Sequence, residues 1–227
     1  MDNSGVIWAI DADTFKVEGR IAGASGERPD ENNHILAPRY IHFLSDTEAY
    51  VTDLFSPYIT RFNPRTCEVT GAIHTGQAAS TGSYNSTEQM AQYGKWVFVN
   101  CWSYSNKILV IDTERQEVVH EIELRSIQPN SLAVDCNGKL WALTDGGYAG
   151  SQYGQTLPCL YRIDAVKWTI EQEFAFDKEE YPSKLCINGA GDTIFFINDG
   201  IYKMSVTAAH APVKAFIPNE RRHMIYG

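Results

Sequence analysis

Short apolar runs separated by polar turns dominate the chain, and one arrangement of them recurs five times. Each copy is an apolar strand, a polar turn and a second strand. Ile7-Trp8-Ala9-Ile10-Asp11 leads on to Ile21, Ile59-Thr60-Arg61-Phe62-Asn63 to Ile73, and Ile108-Leu109-Val110-Ile111-Asp112 to Ile122. Leu160-Tyr161-Arg162-Ile163-Asp164 leads to Phe174, and Ile201-Tyr202-Lys203-Met204-Ser205 to Phe216. The turn-opening residue stands at 11, 63, 112, 164 and 205, at intervals of 52, 49, 52 and 41. Asp, Asn and Ser suit that place because their side chains cap the backbone of a turn.

The intervals contain further strands. Trp96–Asn100, Leu140–Leu143 and Ile194–Ile197 each read as the second strand of a unit. The pair Asn137-Gly138 marks a tight turn before one of them. No segment carries helical periodicity. A pitch of about 40–50 residues with four strands per copy predicts an all-β fold, a β-propeller of four-stranded blades. Strands are called A to D from the ring axis outward, and the apolar runs predict A and B buried between neighbouring blades. A two-sheet sandwich would also give short strands, but not five matched copies.

Residues 1–227 read as a single propeller domain of about four and a half blades. The chain opens with the C and D strands of one unit and continues through four full units. His223-Met224-Ile225-Tyr226-Gly227 resembles the start of another A strand. Two arrangements follow: a thin five-bladed ring closed by that segment, or an open arc, incomplete at the C-terminus. An open blade edge favours association, so dimers or aggregation are expected unless the terminal strand closes the ring.

The connections divide by face. D-to-A and B-to-C loops emerge around the channel mouth, and here they are long: 22–38, 74–87 and 145–158. The A–B and C–D turns on the other face are short. The long loops and adjoining strand ends carry Phe55, Tyr58, Tyr84, Trp102, Tyr104, Tyr148, Tyr153 and Tyr181, rings without an evident core position. Aromatic faces with polar tips suit flat or amphipathic ligands and protein partners. Trp102 and Tyr148, in B–C loops of successive blades, are expected to overhang the same mouth. Glu88-Gln89, Asn130-Ser131 and Ser183-Lys184 take equivalent places at the starts of A strands and are expected to line it, with Lys184 the one cation among them.

The chain has 19 Lys and Arg against 28 Asp and Glu, a formal net charge of −9. That balance repels phosphate backbones and argues against nucleic-acid partners. No run of eighteen apolar residues offers a membrane span, and the opening residues do not read as a signal peptide. The five cysteines are single, without zinc spacing, and read as small buried fillers. The six histidines are likewise single. No GxSxG or HExxH motif occurs, and neither Ser83 nor Ser86 has an evident base partner. Asp145-Gly146-Gly147 lacks the further oxygen ligands of a calcium loop. Asn85-Ser86-Thr87 matches a glycosylation acceptor, a pattern without meaning in a bacterial protein. No metal, cofactor or catalytic residue is expected.

Six phrases carry a resemblance to a known family. They are Tyr50-Val51-Thr52-Asp53-Leu54, Ser86-Thr87-Glu88-Gln89-Met90, Val99-Asn100-Cys101-Trp102-Ser103-Tyr104, Gln128-Pro129-Asn130-Ser131-Leu132, Thr144-Asp145-Gly146-Gly147-Tyr148 and Pro182-Ser183-Lys184-Leu185-Cys186-Ile187-Asn188-Gly189. In this order they resemble the YncE-like β-propellers of the DUF5074 type, surface-layer-like lipoproteins of Gram-negative gut bacteria. The resemblance implies a seven-bladed ring of roughly 340 residues, of which this chain lacks about a third. It also implies a cell-envelope location, at the outer-membrane surface or in the periplasm, and ligand capture. One branch of the family takes cobalamin at the cell surface and hands it to an outer-membrane transporter.

Residues and resemblance together predict a non-catalytic ligand-binding propeller whose ligand is a small molecule such as a corrinoid or a glycan. The expected ligand-binding residues are Phe55, Tyr58, Tyr84, Glu88, Trp102, Tyr104, Asn130, Asp145, Tyr148, Tyr153 and Lys184. A protein–protein scaffold is one alternative. A metal-dependent lactonase-like hydrolase is the other, because Glu88, Asn130 and Asp145 imitate the carboxylate and Asn set that such propellers place on their axis.

Overall fold

A computed structural model describes residues 5–23, 33–76 and 85–219, and all its regular structure is β. Strands β1 (Ile7–Ile10) and β2 (Val17–Ile21) form a two-stranded sheet. Four four-stranded antiparallel sheets follow, each a meander. The first holds β3 (Pro38–Ser45), β4 (Glu48–Asp53), β5 (Tyr58–Asn63) and β6 (Glu68–His74). The second holds β7 (Thr87–Tyr93), β8 (Trp96–Cys101), β9 (Lys107–Asp112) and β10 (Glu117–Glu123). The third holds β11 (Pro129–Val134), β12 (Lys139–Thr144), β13 (Cys159–Asp164) and β14 (Ile170–Ala175). The fourth holds β15 (Ser183–Ile187), β16 (Thr193–Ile197), β17 (Gly200–Ser205) and β18 (Ile217–Pro218). This is a partial β-propeller, with β8, β12 and β16 as the expected second strands.

The core lies between blades, not within them. In β8, Val97 and Val99 pack with Tyr50 and Ile59 of the first blade, while Phe98 packs with Leu140 and Tyr161 of the third. In β12, Leu140 and Ala142 face the second blade, whereas Trp141 and Leu143 face Ile194 and Phe196 of the fourth. Because successive side chains point to opposite faces, a strand covered on both sides needs apolar residues at every position. That requirement produces the continuous apolar runs.

The expected burial of A and B strands holds in the second and third blades, where β7 and β11 are mostly buried, but not at the ends of the array, and C strands such as β9 are buried as well. The middle strands β4, β8, β9 and β12 are buried almost throughout, while the inner strands β3 and β15 alternate with exposed residues. Inner strands border the channel, and β3 and β15 stand at the two ends of the array, where one face lacks an inner neighbour. Two cysteines depart from the expected filler role for related reasons. Cys101 and Cys159 are buried and Cys67 is half-buried, but Cys136 and Cys186 are exposed. Cys136 sits in the turn between β11 and β12, and Cys186 points away from Leu185 on the uncovered side of β15.

One turn is repeated almost atom for atom between C and D strands. Asp11, Asn63, Asp112 and Asp164 each accept the N–H of the residue four further on, Phe15, Cys67, Gln116 and Trp168, at 2.8–2.9 Å. Those four residues have φ of 55–60°. Each turn-opening carboxylate or amide also accepts a backbone N–H inside the turn at 2.6–3.0 Å. Ser205 does the same toward Thr207 N at 3.3 Å. The expected capping role of these residues is what the structure has.

Among the described residues β1 and β2 pair with no other strand. The segment 223–227, expected to close the ring, lies outside the described residues.

Candidate functional site

The inner strands β3, β7, β11 and β15 follow one another around the axis, each in contact with the next. Every one of them opens with a β-bulge, between Pro38 and Ile41, Thr87 and Met90, Pro129 and Ser131, and Ser183 and Cys186. A bulge breaks the strict alternation of side chains and re-aims the extra residue. The residues so placed are Arg39, Glu88, Asn130 and Lys184, each second in its strand. All four line one cavity of about 120 Å³, together with Tyr40 and Trp102. Of the expected site residues, Glu88, Trp102, Asn130 and Lys184 thus converge.

Arg39 is the residue that sequence reasoning missed, and Lys184 is not the one cation of the mouth. The signal was present: Pro38-Arg39 opens its strand as Pro129-Asn130 opens another. Arg39 Nε donates to Glu88 Oε1 at 2.7 Å, with the two side chains 17% and 6% exposed. Burial pushes the Glu88 carboxyl above its ordinary value, opposed by the Arg39 bond and charge and by the Lys184 charge.

The inner strands are stitched to each other by side-chain acceptors. Leu132 N–H donates to Gln89 Oε1 at 2.8 Å and Leu185 N–H to Ser131 Oγ at 3.0 Å. Thr52 Oγ1 donates to the Glu88 carbonyl at 2.7 Å. Asn130 donates to Pro182 O at 2.9 Å and accepts from Ser131 Oγ at 2.7 Å. Asp145 lies behind Asn130. Burial raises its carboxyl, and bonds from Gly147 N–H and the Asn130 side chain hold the rise back.

A B–C loop is hung over each of the first three inner strands by one repeated bond. Leu54, Trp102 and Asp145 donate their N–H to Ala37, Ser86 and Gln128 carbonyls at 3.0, 2.9 and 3.3 Å. That bond fixes Trp102 above the mouth. Ser103 and Tyr104 then take φ of 58° and 64°, a left-handed pair that turns the chain sharply away.

The other aromatics do not share the cavity. Tyr148, expected beside Trp102, instead packs edge-on against Tyr104 at 6.0 Å, and Tyr153 lies on the Tyr104 ring at 4.5 Å. These three form a separate, partly exposed shelf on the same loops. Tyr58 is closed off, stacked on His34 at 3.8 Å and edge-on to His74 at 5.0 Å. Phe55 and Tyr181 are exposed, and Tyr84 lies outside the described residues. Tyr181 borders a broader acidic recess of about 760 Å³ with Glu180, Asn198 and Tyr202, on the uncovered side of the last sheet and without any inner-strand residue. Among the described residues no three His, Cys, Asp or Glu side chains converge as metal ligands.

A family model described as a domain of unknown function, DUF5074, matches residues 2–227. The chain belongs to the DUF5074 family. Among solved structures, this DUF5074 chain is similar to hydrazine synthase of Kuenenia stuttgartiensis, with a TM-score of 0.62 and 21% identity. The match covers 83% of this chain and 48% of that one, so the chain spans about half the length of the enzyme subunit. At that identity the likeness concerns the fold alone. No curated protein matches the chain.

Replacing Arg39 by alanine is expected to lower stability by about 1–2 kcal/mol at pH 7, measured by urea denaturation. The figure is kept below that of a fully buried pair because the guanidinium borders an open cavity. The loss leaves Glu88 buried without its partner and raises its carboxyl further. A raised carboxyl binds its proton more readily folded than unfolded, so its stability penalty grows as pH rises above the ordinary value near 4.5. The deficit of the variant therefore shrinks toward pH 4.5, and a deficit independent of pH would show that Glu88 is not its source.

Proposed function

We propose that this DUF5074 propeller is a non-catalytic binding protein that holds a small molecule at the axial mouth of its inner strands. The observation that carries the reading is the convergence of Arg39, Glu88, Asn130 and Lys184, from four separate bulged strands, beside the half-buried Trp102 and Tyr40. Repeated bulges at one strand position re-aim side chains, here toward a common axis. A cavity of about 120 Å³ is smaller than the roughly 300–1,000 Å³ that bury a drug-sized ligand. It takes one group of a larger ligand, whose remainder rests on the loops and on the shelf of Tyr104, Tyr148 and Tyr153. A corrinoid or a glycan fits that description, and the family resemblance supports envelope location and delivery to an outer-membrane transporter.

The hydrolase reading draws less support. Glu88 is committed to Arg39, Asp145 sits behind Asn130, and two cations stand where a divalent metal would be held. A thermal-shift screen against cyanocobalamin, oligosaccharides and divalent metal ions separates the classes. A ligand at a hundred times its Kd adds about 2.7 kcal/mol, roughly 5–10 °C for a chain of this size. The expected result is such a rise with a small molecule. A rise with metal ions alone would favour the hydrolase, and no rise with any compound the scaffold.

A further inference from the structure

We infer, resting on the axial-site reading, that the group the ligand places in the cavity is a carboxylate. The lining offers more free donors than free acceptors, the latter being Glu88 Oε2 and the Tyr40 hydroxyl oxygen. Asn130 gives one N–H to Pro182 O, accepts from Ser131 Oγ and also bonds Asp145, so its amide is largely engaged. Glu88 Oε1 is held by Arg39 Nε. Among the described residues the Lys184 ammonium, the Trp102 indole N–H and the Tyr40 hydroxyl have no hydrogen-bond acceptor, and Arg39 engages one through Nε alone. A site of this kind is complementary to a group that accepts several hydrogen bonds and carries negative charge.

Charge points the same way. The protein as a whole is at −9, yet the cavity wall carries two cations against the single Glu88 carboxylate. Asp145 does not cancel the excess, because it is not among the residues that line the cavity. An acidic surface slows the approach of anions, so a cationic mouth in such a protein is not explained by solubility. Lys184 has a φ of 58°, a left-handed conformation it shares with the turn residues Phe15, Cys67, Gln116 and Trp168. The bulge there turns the ammonium toward the axis.

The flat walls, not the guanidinium, favour a planar carboxylate over a tetrahedral oxyanion. The Arg39 guanidinium pairs two-pronged with either, whereas the Trp102 and Tyr40 rings offer flat faces that suit a planar group and what lies behind it. The volume of about 120 Å³ corresponds to about four waters at roughly 30 Å³ each, room for a carboxylate and part of one ring.

The probes are sodium benzoate, its neutral isostere benzamide, and inorganic phosphate. The readout is the ¹⁹F resonance of Trp102 in 5-fluorotryptophan-labelled protein, assigned with Trp102→Phe and paired with calorimetry. Benzoate is expected to shift that resonance with about tenfold higher affinity than benzamide, the preference a hydrogen-bonded charge confers. Phosphate is expected to bind more weakly than benzoate. Lys184→Gln should abolish the difference between benzoate and benzamide, and Arg39→Lys, which keeps the charge but not the fork, should reduce it. Lys184 is exposed, and circular dichroism checks that its variant folds. Equal affinity for benzoate and benzamide, or an undiminished preference in Lys184→Gln, would overturn the carboxylate while leaving the axial site standing. Phosphate binding ahead of benzoate would overturn it in favour of a tetrahedral oxyanion. Silence of the Trp102 resonance toward all three probes would overturn it as well, and the thermal-shift screen then decides the axial site separately.

Discussion

Trp141→Ala is expected to lower stability by about 4 kcal/mol, within the range for emptying a buried tryptophan site. Trp141 is fully buried in β12 and stacks on Phe174 at 6.0 Å. Its indole Nε1 donates to Asp135 Oδ2 at 2.8 Å. The same Asp135 holds the β11–β12 turn by accepting Asn137 and Lys139 N–H at 2.8 and 2.9 Å. Alanine removes the ring, opens a cavity between the third and fourth blades, and strips one oxygen of a buried carboxylate of its partner. Trp141→Phe keeps most of the packing and loses only the bond, so about 1–2 kcal/mol is expected. In an array of repeats, stability is a sum of unit and neighbour-interface terms. The loss therefore falls on one interface, and amide hydrogen exchange in β15–β17 should accelerate well before exchange in β7–β10. Uniform acceleration across all blades would show that the array unfolds as a single cooperative unit.

The same alternation that makes Trp141 costly to remove made the fold legible. A strand between two sheets needs apolar residues on both faces, and Trp96–Cys101 and Lys139–Thr144 display that need directly in sequence. The turn-opening Asp and Asn were legible because the bond they make is local. The site was half legible. Glu88, Asn130 and Lys184 stand out once the repeats are aligned. Arg39 did not, because its strand emerges from the long segment 22–38, whose polar residues hide where the strand begins. The surroundings of Tyr58 were not legible for a different reason: His34, which stacks on it, comes from a distant loop and leaves no trace in the local pattern. Tyr148 was placed beside Trp102 by equivalence of loops. The left-handed turn at Ser103 and Tyr104 instead brings Tyr104 to it, and non-glycine residues rarely announce such a conformation.

Trp102→Ala is expected to weaken the ligand retained by the thermal-shift screen by about 10- to 100-fold, roughly 1–3 kcal/mol, as loss of an aromatic anchor does. The argument is positional. Trp102 is the aromatic residue of the B–C loops that lines the axial cavity, and its backbone is fixed to Ser86 O at 2.9 Å, so its ring is held in place before the ligand arrives. A preformed wall spends little entropy on binding. The fold should survive the change, because Trp102 is half-buried and belongs to none of the inter-blade clusters. Tyr148→Ala provides the contrast. Its ring leans on Tyr104, outside the cavity lining, and its loss should weaken the ligand less than about threefold. Calorimetry on both variants, with circular dichroism as the folding check, reads the result. A larger loss at Tyr148 than at Trp102 would move the binding surface from the axis to the tyrosine shelf, and equal affinity in all three proteins would remove it from this face altogether.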